Sequence, residues 1–134
     1  MKLPDEGLHV SVLNRSEGNL EYFKKLGLET YTWDTCPLKS FDLIVNTTSA
    51  GLSDDNYPAP LELLTALVKK SSDAADAIYG KVTPFLKLCQ ELDITYKDGA
   101  DMLLGQGVLA NNYFSEGKFS LSKIQEIMRE SFSF

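Results

Sequence analysis

The chain has 134 residues, 43% of them hydrophobic and 24% charged, with a formal net charge of −6. That length supports one domain with a real core and excludes two ordinary ones, and the composition excludes a disordered chain. The acidic balance excludes a face built to neutralise nucleic-acid phosphates, and no apolar run approaches the ~20 residues of a membrane span.

Residues 1–7, M-K-L-P-D-E-G, contain no apolar signal core. Cys36, Cys89 and the single histidine, His9, lack metal-ligand spacing. The expectation is a soluble cytoplasmic protein with two reduced, structural thiols and no metal site.

In chain order, the alternating run at 9–13 predicts a strand bounded by Gly7 and Asn14. Leu20, Phe23 and Leu26 share one face of a helix over 19–26, which Gly27 ends. The Thr, Tyr and Trp of 29–33 favour a short strand. F-D-L-I-V-N at 41–46 is a compact apolar strand suited to a parallel sheet. A polar loop over 47–60 and a helix over 61–68 follow.

A-A-D-A-I-Y at 74–79 predicts another short buried strand. Thr83-Pro84 places a hydroxyl at N-cap and proline at N1 of a helix continuing through 85–92. A strand at 94–96 and helices over 100–114 and 121 to about 132 complete the chain. Strands alternating with helices predict an α/β fold with a largely parallel sheet. In such sheets ligands bind beyond the carboxyl ends of the strands.

Four segments therefore carry the functional reading: Asn14-Arg15-Ser16, Asn46-Thr47-Thr48-Ser49, Tyr79-Gly80-Lys81 and Lys97-Asp98-Gly99. An arginine just past a strand forks onto a phosphate with two parallel hydrogen bonds; it also serves as an exposed turn residue. The amide and hydroxyls of 46–49 suit ribose and phosphate oxygens, and equally suit turns and caps. Met102 and Gln106 share a helix face, where a partly buried amide requires a partner, from a ligand or from the backbone. Tyr79 offers a phenol at a strand end. Asp76 needs a partner if buried. His9, with no nucleophile or acid arranged around it, reads as structural.

Taken in order, V-S-V-L-N-R-S at 10–16, F-D-L-I-V-N-T-T-S-A-G-L at 41–52, D-A-I-Y at 76–79, T-P-F-L at 83–86 and D-G-A-D-M-L-L-G-Q-G at 98–107 resemble the C-terminal, NADP-binding domain of the shikimate dehydrogenase family. The resemblance implies an α/β, Rossmann-like three-layer fold, incomplete because its first strand is missing. Residues 1–134 would form a single partial nucleotide-binding domain. The helices over about 100–132 would pack back toward a missing substrate domain.

It implies an oxidoreductase of aromatic amino-acid biosynthesis that reduces 3-dehydroshikimate to shikimate with NADPH. Asn14, Arg15 and Ser16 would grip the 2′-phosphate of NADP, and Asn46, Thr47, Thr48 and Ser49 would line the cofactor. Ala77 and Gly99 would lie at its nicotinamide end, and Tyr79 and Gln106 would contact substrate. Glu17 and Asn19 stand where the family often has a further basic residue, and Ala77 is smaller than the residue usual there.

The Gly-rich loop and the Lys-Asp pair of the family have no counterpart in these residues. No catalytic residue is therefore assigned, and no turnover is expected from the chain alone. Unpaired strand edges would favour self-association. The alternatives are a quinate/shikimate dehydrogenase relative using NAD, and a non-catalytic nucleotide-binding or interaction module.

Overall fold

The computed structural model describes residues 3–131. Its strands are β1 (Ser11–Leu13), β2 (Glu29–Tyr31), β3 (Phe41–Asn46), β4 (Ser71–Asp76) and β5 (Thr95–Lys97). Its α-helices are α1 (Glu21–Lys25), α2 (Leu61–Val68), α3 (Pro84–Glu91), α4 (Ala100–Phe114) and α5 (Leu121–Ser131). Short 3-10 turns occupy Pro4–Glu6 and Glu17–Leu20. The last helix is expected to reach about Phe132, which lies outside the described residues.

Every strand pairing is parallel. The strands form two sheets, β1-β2 and β3-β4-β5. These correspond to the 3-2 and 4-5-6 portions of the doubly wound strand order. Among the described residues β1 pairs only with β2, and β3 only with β4, so each keeps an unpaired edge.

The register assigns the faces of the larger sheet. Ile44, Ala74 and Tyr96 form one row across it. That row packs with Leu64 and Val68 of α2 and Phe85, Leu86, Leu88 and Cys89 of α3. Trp33, just beyond β2, also packs against this core, and Lys70 donates to the Leu38 carbonyl at 2.6 Å. On the opposite face, Leu43 and Val45 remain 53% and 47% exposed. A second, small core joins Leu104 and Val108 of α4 to Ile124 and Met128 of α5.

The structure moves the strand read at 74–79. β4 begins at Ser71 and ends at Asp76, with Ile78 and Tyr79 in the following loop. Pairing with β3 from Ser71 onward recruits two polar serines into the ladder. At the other end, the Asp76 carboxylate accepts the Ile78 N–H at 3.0 Å and turns the chain out of it. The first strand is likewise shorter than predicted, and His9 lies outside it, exposed. The predicted cap on α3 is present: Thr83 Oγ1 accepts the Leu86 N–H at 3.2 Å, with Pro84 opening the helix.

Asp76 is 2% exposed and holds three segments together. Its Oδ1 accepts from Asn46 Nδ2 at 3.1 Å, which ties the end of β4 to the end of β3. Its Oδ2 accepts from Thr83 Oγ1 at 2.7 Å, which ties both to the start of α3. Asn46 and Thr83 are themselves 4% and 0% exposed. The same carboxylate is felt in the core. Burial first, and the Asp76 charge second, push the Cys89 thiol up to about 11.

Replacing Asp76 with Ala strips a buried amide and a buried hydroxyl of their acceptor. With roughly 1–3 kcal/mol for each group so orphaned, Asp76→Ala is expected to cost about 3 kcal/mol or more. The measurement is chemical denaturation followed by circular dichroism. A loss below about 1 kcal/mol would contradict the assigned network.

Glu29 gives a pH prediction for the smaller sheet. Its Oε2 accepts from Lys39 Nζ at 2.7 Å, Ser11 Oγ at 2.7 Å and Tyr31 OH at 3.2 Å. The Lys39 hydrogen bond, followed by that from Ser11, lowers the carboxyl from 4.5 to about 2. A depressed carboxylate stabilises the fold above its ordinary pKa, and that contribution is lost as pH falls from 4.5 toward about 2. An NMR titration of the Glu29 carboxyl should give a midpoint near 2, moving upward in Lys39→Ala. A wild-type midpoint at 4.5 would refute the cross-strand cluster.

Candidate functional site

Parallel strands put the carboxyl ends of β3, β4 and β5 along one edge, and hydrogen bonds join the segments that leave it. The Ala77 N–H donates to the Asn46 carbonyl, and the Gly99 N–H to the Ile78 carbonyl, each at 2.9 Å. Asp98 continues the series: its Oδ2 accepts the Gly80 N–H at 3.2 Å, and its Oδ1 the Ala100 N–H at 3.1 Å. One carboxylate thus connects the Tyr79-Gly80 turn to the start of α4. The expected residues Asn46, Ala77, Tyr79 and Gly99 therefore belong to one connected edge.

After β3, the side chain of Asn46 shapes the loop as well as binding Asp76. Its Oδ1 accepts the Thr48 N–H at 3.0 Å and the Thr48 hydroxyl at 2.8 Å. Thr48 Oγ1 in turn accepts the Ala50 N–H at 3.2 Å. Two of the four candidate groups in 46–49 therefore organise the loop internally. Thr47 and Ser49 are exposed on it. Farther along, Gly51 has φ of 88°, and a Cβ there would lie 3.0 Å from Pro84 Cδ. The loop thus rests on the start of α3 only with glycine at that position.

Gly99 has a different constraint. A side chain on it would collide with the backbone carbonyl of Ala77. The close passage of two main chains leaves the 77–80 turn and the start of α4 in fixed relation. Ala77 is half-buried, Gly99 buried, and the Tyr79 side chain about half exposed at 49%.

Asn14, Arg15 and Ser16 leave the smaller sheet. The Asn14 N–H donates to the Tyr31 carbonyl at 3.0 Å, one step beyond the β1-β2 ladder. Asn14 Oδ1 accepts the Ser16 N–H at 2.9 Å and Asn19 Nδ2 at 3.3 Å. Asn14 is thus the internal brace of the turn. Arg15 is exposed at its tip, and no ion pair engages its guanidinium among the described residues. Ser16 precedes the 3-10 turn without a side-chain capping bond.

Gln106 departs from its expected environment. It is exposed, as is Met102 on the same face of α4. The buried stripe of that helix is Leu104 and Val108, two residues away on either side and so on the opposite side of the helix. The shared face was legible from the spacing; its direction depends on α5, which covers the other one.

The sequence reading gave Thr83 its N-cap role but not its bond to Asp76, and left Asp98 and the inward role of Asn46 without partners. Each shows a local signal: a polar residue at a strand end or just before a helix. None reveals the residue it meets across the fold.

No protein-family profile matches the chain. Individual relatives do. Shikimate dehydrogenase (NADP(+)) of Helicobacter acinonychis (strain Sheeba) is 44% identical over 131 residues, which cover 98% of this chain and 49% of that protein. The enzyme of the same name from Helicobacter hepaticus is 36% identical over 126 residues, covering 93% and 47%. Among solved structures, the shikimate 5-dehydrogenase of Thermus thermophilus in complex with NADP(H) and shikimate overlays with a TM-score of 0.73. It is 29% identical, over 97% of this chain and 49% of that one. Shikimate dehydrogenase from Aquifex aeolicus overlays with a TM-score of 0.69 at 30% identity, over 92% and 45%. The chain spans about half the length of the relatives it matches. In sequence and in fold alike, the chain belongs to the shikimate dehydrogenase family and corresponds to its C-terminal half.

Proposed function

We propose that this chain is the NADP-binding part of a shikimate dehydrogenase, which reduces 3-dehydroshikimate to shikimate in the cytoplasm. The observation that carries the reading is the guanidinium of Arg15, without an ion pair among the described residues, at the tip of a braced turn, on a fold whose other post-strand segments converge at one edge. A planar, always-charged fork suits the 2′-phosphate of NADP, whereas an acidic residue at that place would suit the free hydroxyl of NAD. The names of the relatives, which specify NADP(+), agree with this choice.

Asn14 holds the turn, and Arg15 with the Ser16 hydroxyl receives the phosphate. Thr47 and Ser49 offer exposed donors toward the ribose and pyrophosphate, while Asn46 and Thr48 keep the loop in shape. NADPH, when bound, supplies the hydride. Ala77 and Gly99 bring main chain to the nicotinamide end, where the absence of a side chain on Gly99 allows close approach. Tyr79 and Gln106, both exposed, address the substrate's oxygens.

These residues bind and orient, which is the positional share of hydride transfer. The proton that balances the reduced carbonyl comes from a group outside this set. The chain by itself is accordingly a binding unit.

The test separates the phosphate from the rest of the nucleotide. Calorimetric titration should show tighter binding of 2′,5′-ADP than of 5′-AMP. Arg15→Ala should remove that preference, weakening 2′,5′-ADP by about tenfold or more, as befits a charge-assisted pair, and leaving 5′-AMP unchanged. Equal affinity of the wild-type chain for both nucleotides would refute the assignment.

We also infer self-association. Among the described residues β1 and β3 each present a free hydrogen-bonding edge, and Leu43 and Val45 lie half exposed on β3. Unpaired parallel edges of this kind recruit further strands. Sedimentation velocity should show a mean coefficient that rises with concentration. A strictly monomeric profile at millimolar concentration would contradict this.

A further inference from the structure

The Arg15 turn carries a second charge that the phosphate reading does not use. Glu17 follows Arg15 by two residues, so their Cα atoms are separated by no more than ~7 Å. Its carboxylate accepts from Lys24 Nζ at 3.0 Å, and the same ammonium reaches Glu21 at 3.4 Å. Asn14 Oδ1, by accepting both the Ser16 N–H and Asn19 Nδ2, fixes the bend between Arg15 and this cluster. One cation is therefore shared by two carboxylates beside the proposed anion site. Both Glu17 and Lys24 are well exposed, so neither is held there by packing.

The geometry points to Glu17 as a residue that sets the cofactor preference of this chain, with Lys24 as its counterweight. Glu17 repels a dianion at Arg15 and has little effect on a ribose hydroxyl. It therefore narrows the margin by which a 2′-phosphorylated nucleotide is preferred. Lys24 restores part of that margin by pairing with Glu17. By Coulomb's law in water, a carboxylate and a phosphate dianion separated by ~7 Å, the same order as the span between the two Cα atoms, change affinity by about three- to fivefold at low ionic strength, and by less as salt screens them. Arg15 supplies the attraction, and the Glu17–Lys24 pair sets its strength. This inference rests on the reading of Arg15 given above.

The probes are 2′,5′-ADP and 5′-AMP, titrated calorimetrically into the 134-residue chain and its variants at low salt. Glu17→Gln should tighten 2′,5′-ADP about three- to fivefold and leave 5′-AMP unchanged. Lys24→Met should loosen 2′,5′-ADP by a similar factor. The double variant, in which the two lost charges cancel, should return close to wild type. All three differences should shrink in 0.5 M salt, about five times the concentration that gives a ~10 Å screening length.

If Glu17→Gln leaves the 2′,5′-ADP affinity unaltered, or shifts both nucleotides equally, Glu17 has no part in the preference and this inference falls while Arg15 stands. If the wild-type chain does not prefer 2′,5′-ADP at all, both readings fall together. Circular dichroism of each variant confirms that the fold is retained, and the opposite signs expected for the two single variants separate a charge effect from a general loss of structure.

Discussion

The arrangement of the candidate site depends on one buried carboxylate. Asp76 ends β4, and its two oxygens face in two structural directions, one to Asn46 on the neighbouring strand and one to Thr83 at the start of α3. A charge so deeply buried is tolerated because its lone pairs are filled by an amide, a hydroxyl and the Ile78 main chain. The consequence is positional. The loop after β3, the turn after β4 and the first turn of α3 share a single anchor and keep a common relation to one another.

From that anchor the constraint spreads outward by main chain. Ala77 bonds back to Asn46, Ile78 receives Gly99, and Asp98 reaches Gly80. The last of the three strand ends is thereby tied to the first through a chain of short links rather than through a packed core. Such an edge can be polar, open and still ordered, as a binding surface for a hydroxylated, charged ligand requires. The main apolar packing lies elsewhere, on the sheet face covered by α2 and α3. Order at the edge and burial in the core are thus supplied by different parts of the same strands.

What could be read from the sequence follows this division. The compact run of β3, the Thr83-Pro84 start of α3 and the alternation of strands with helices were legible, because each is encoded within a few neighbouring residues. The ordered segments that carry the family resemblance were legible for the same reason. The start of β4 was not, because Ser71 and Ser72 become strand through pairing with the distant β3, before β5 joins at Asp73. The clamp at Asp76 was legible only as a need: the residue that meets it from β3 is 30 positions away. The direction of Gln106 was hidden because helical spacing groups residues on a face without saying what covers that face. Periodicity is a local quantity, and burial is not.

The Arg15 turn differs from the rest of the site in how it is held. Asn46 and Asp76 are buried and fixed by neutral and charged partners inside the protein, whereas Asn14 braces its turn at the surface, and the charges around it are all exposed. A surface turn transmits little of its energetics to the fold, so its charges can change without disturbing the sheet. A group inside the Asp76 network has no such freedom, since any change there orphans a partner. The two ends of the proposed cofactor site therefore answer to different constraints. Ala77 and Gly99, proposed for the nicotinamide end, are set by the packing of main chain on main chain, and the turn at Arg15, proposed for the adenosine end, carries a group of solvated charges. Charges at the surface turn can therefore change while the main-chain geometry at Ala77 and Gly99 stays as it is.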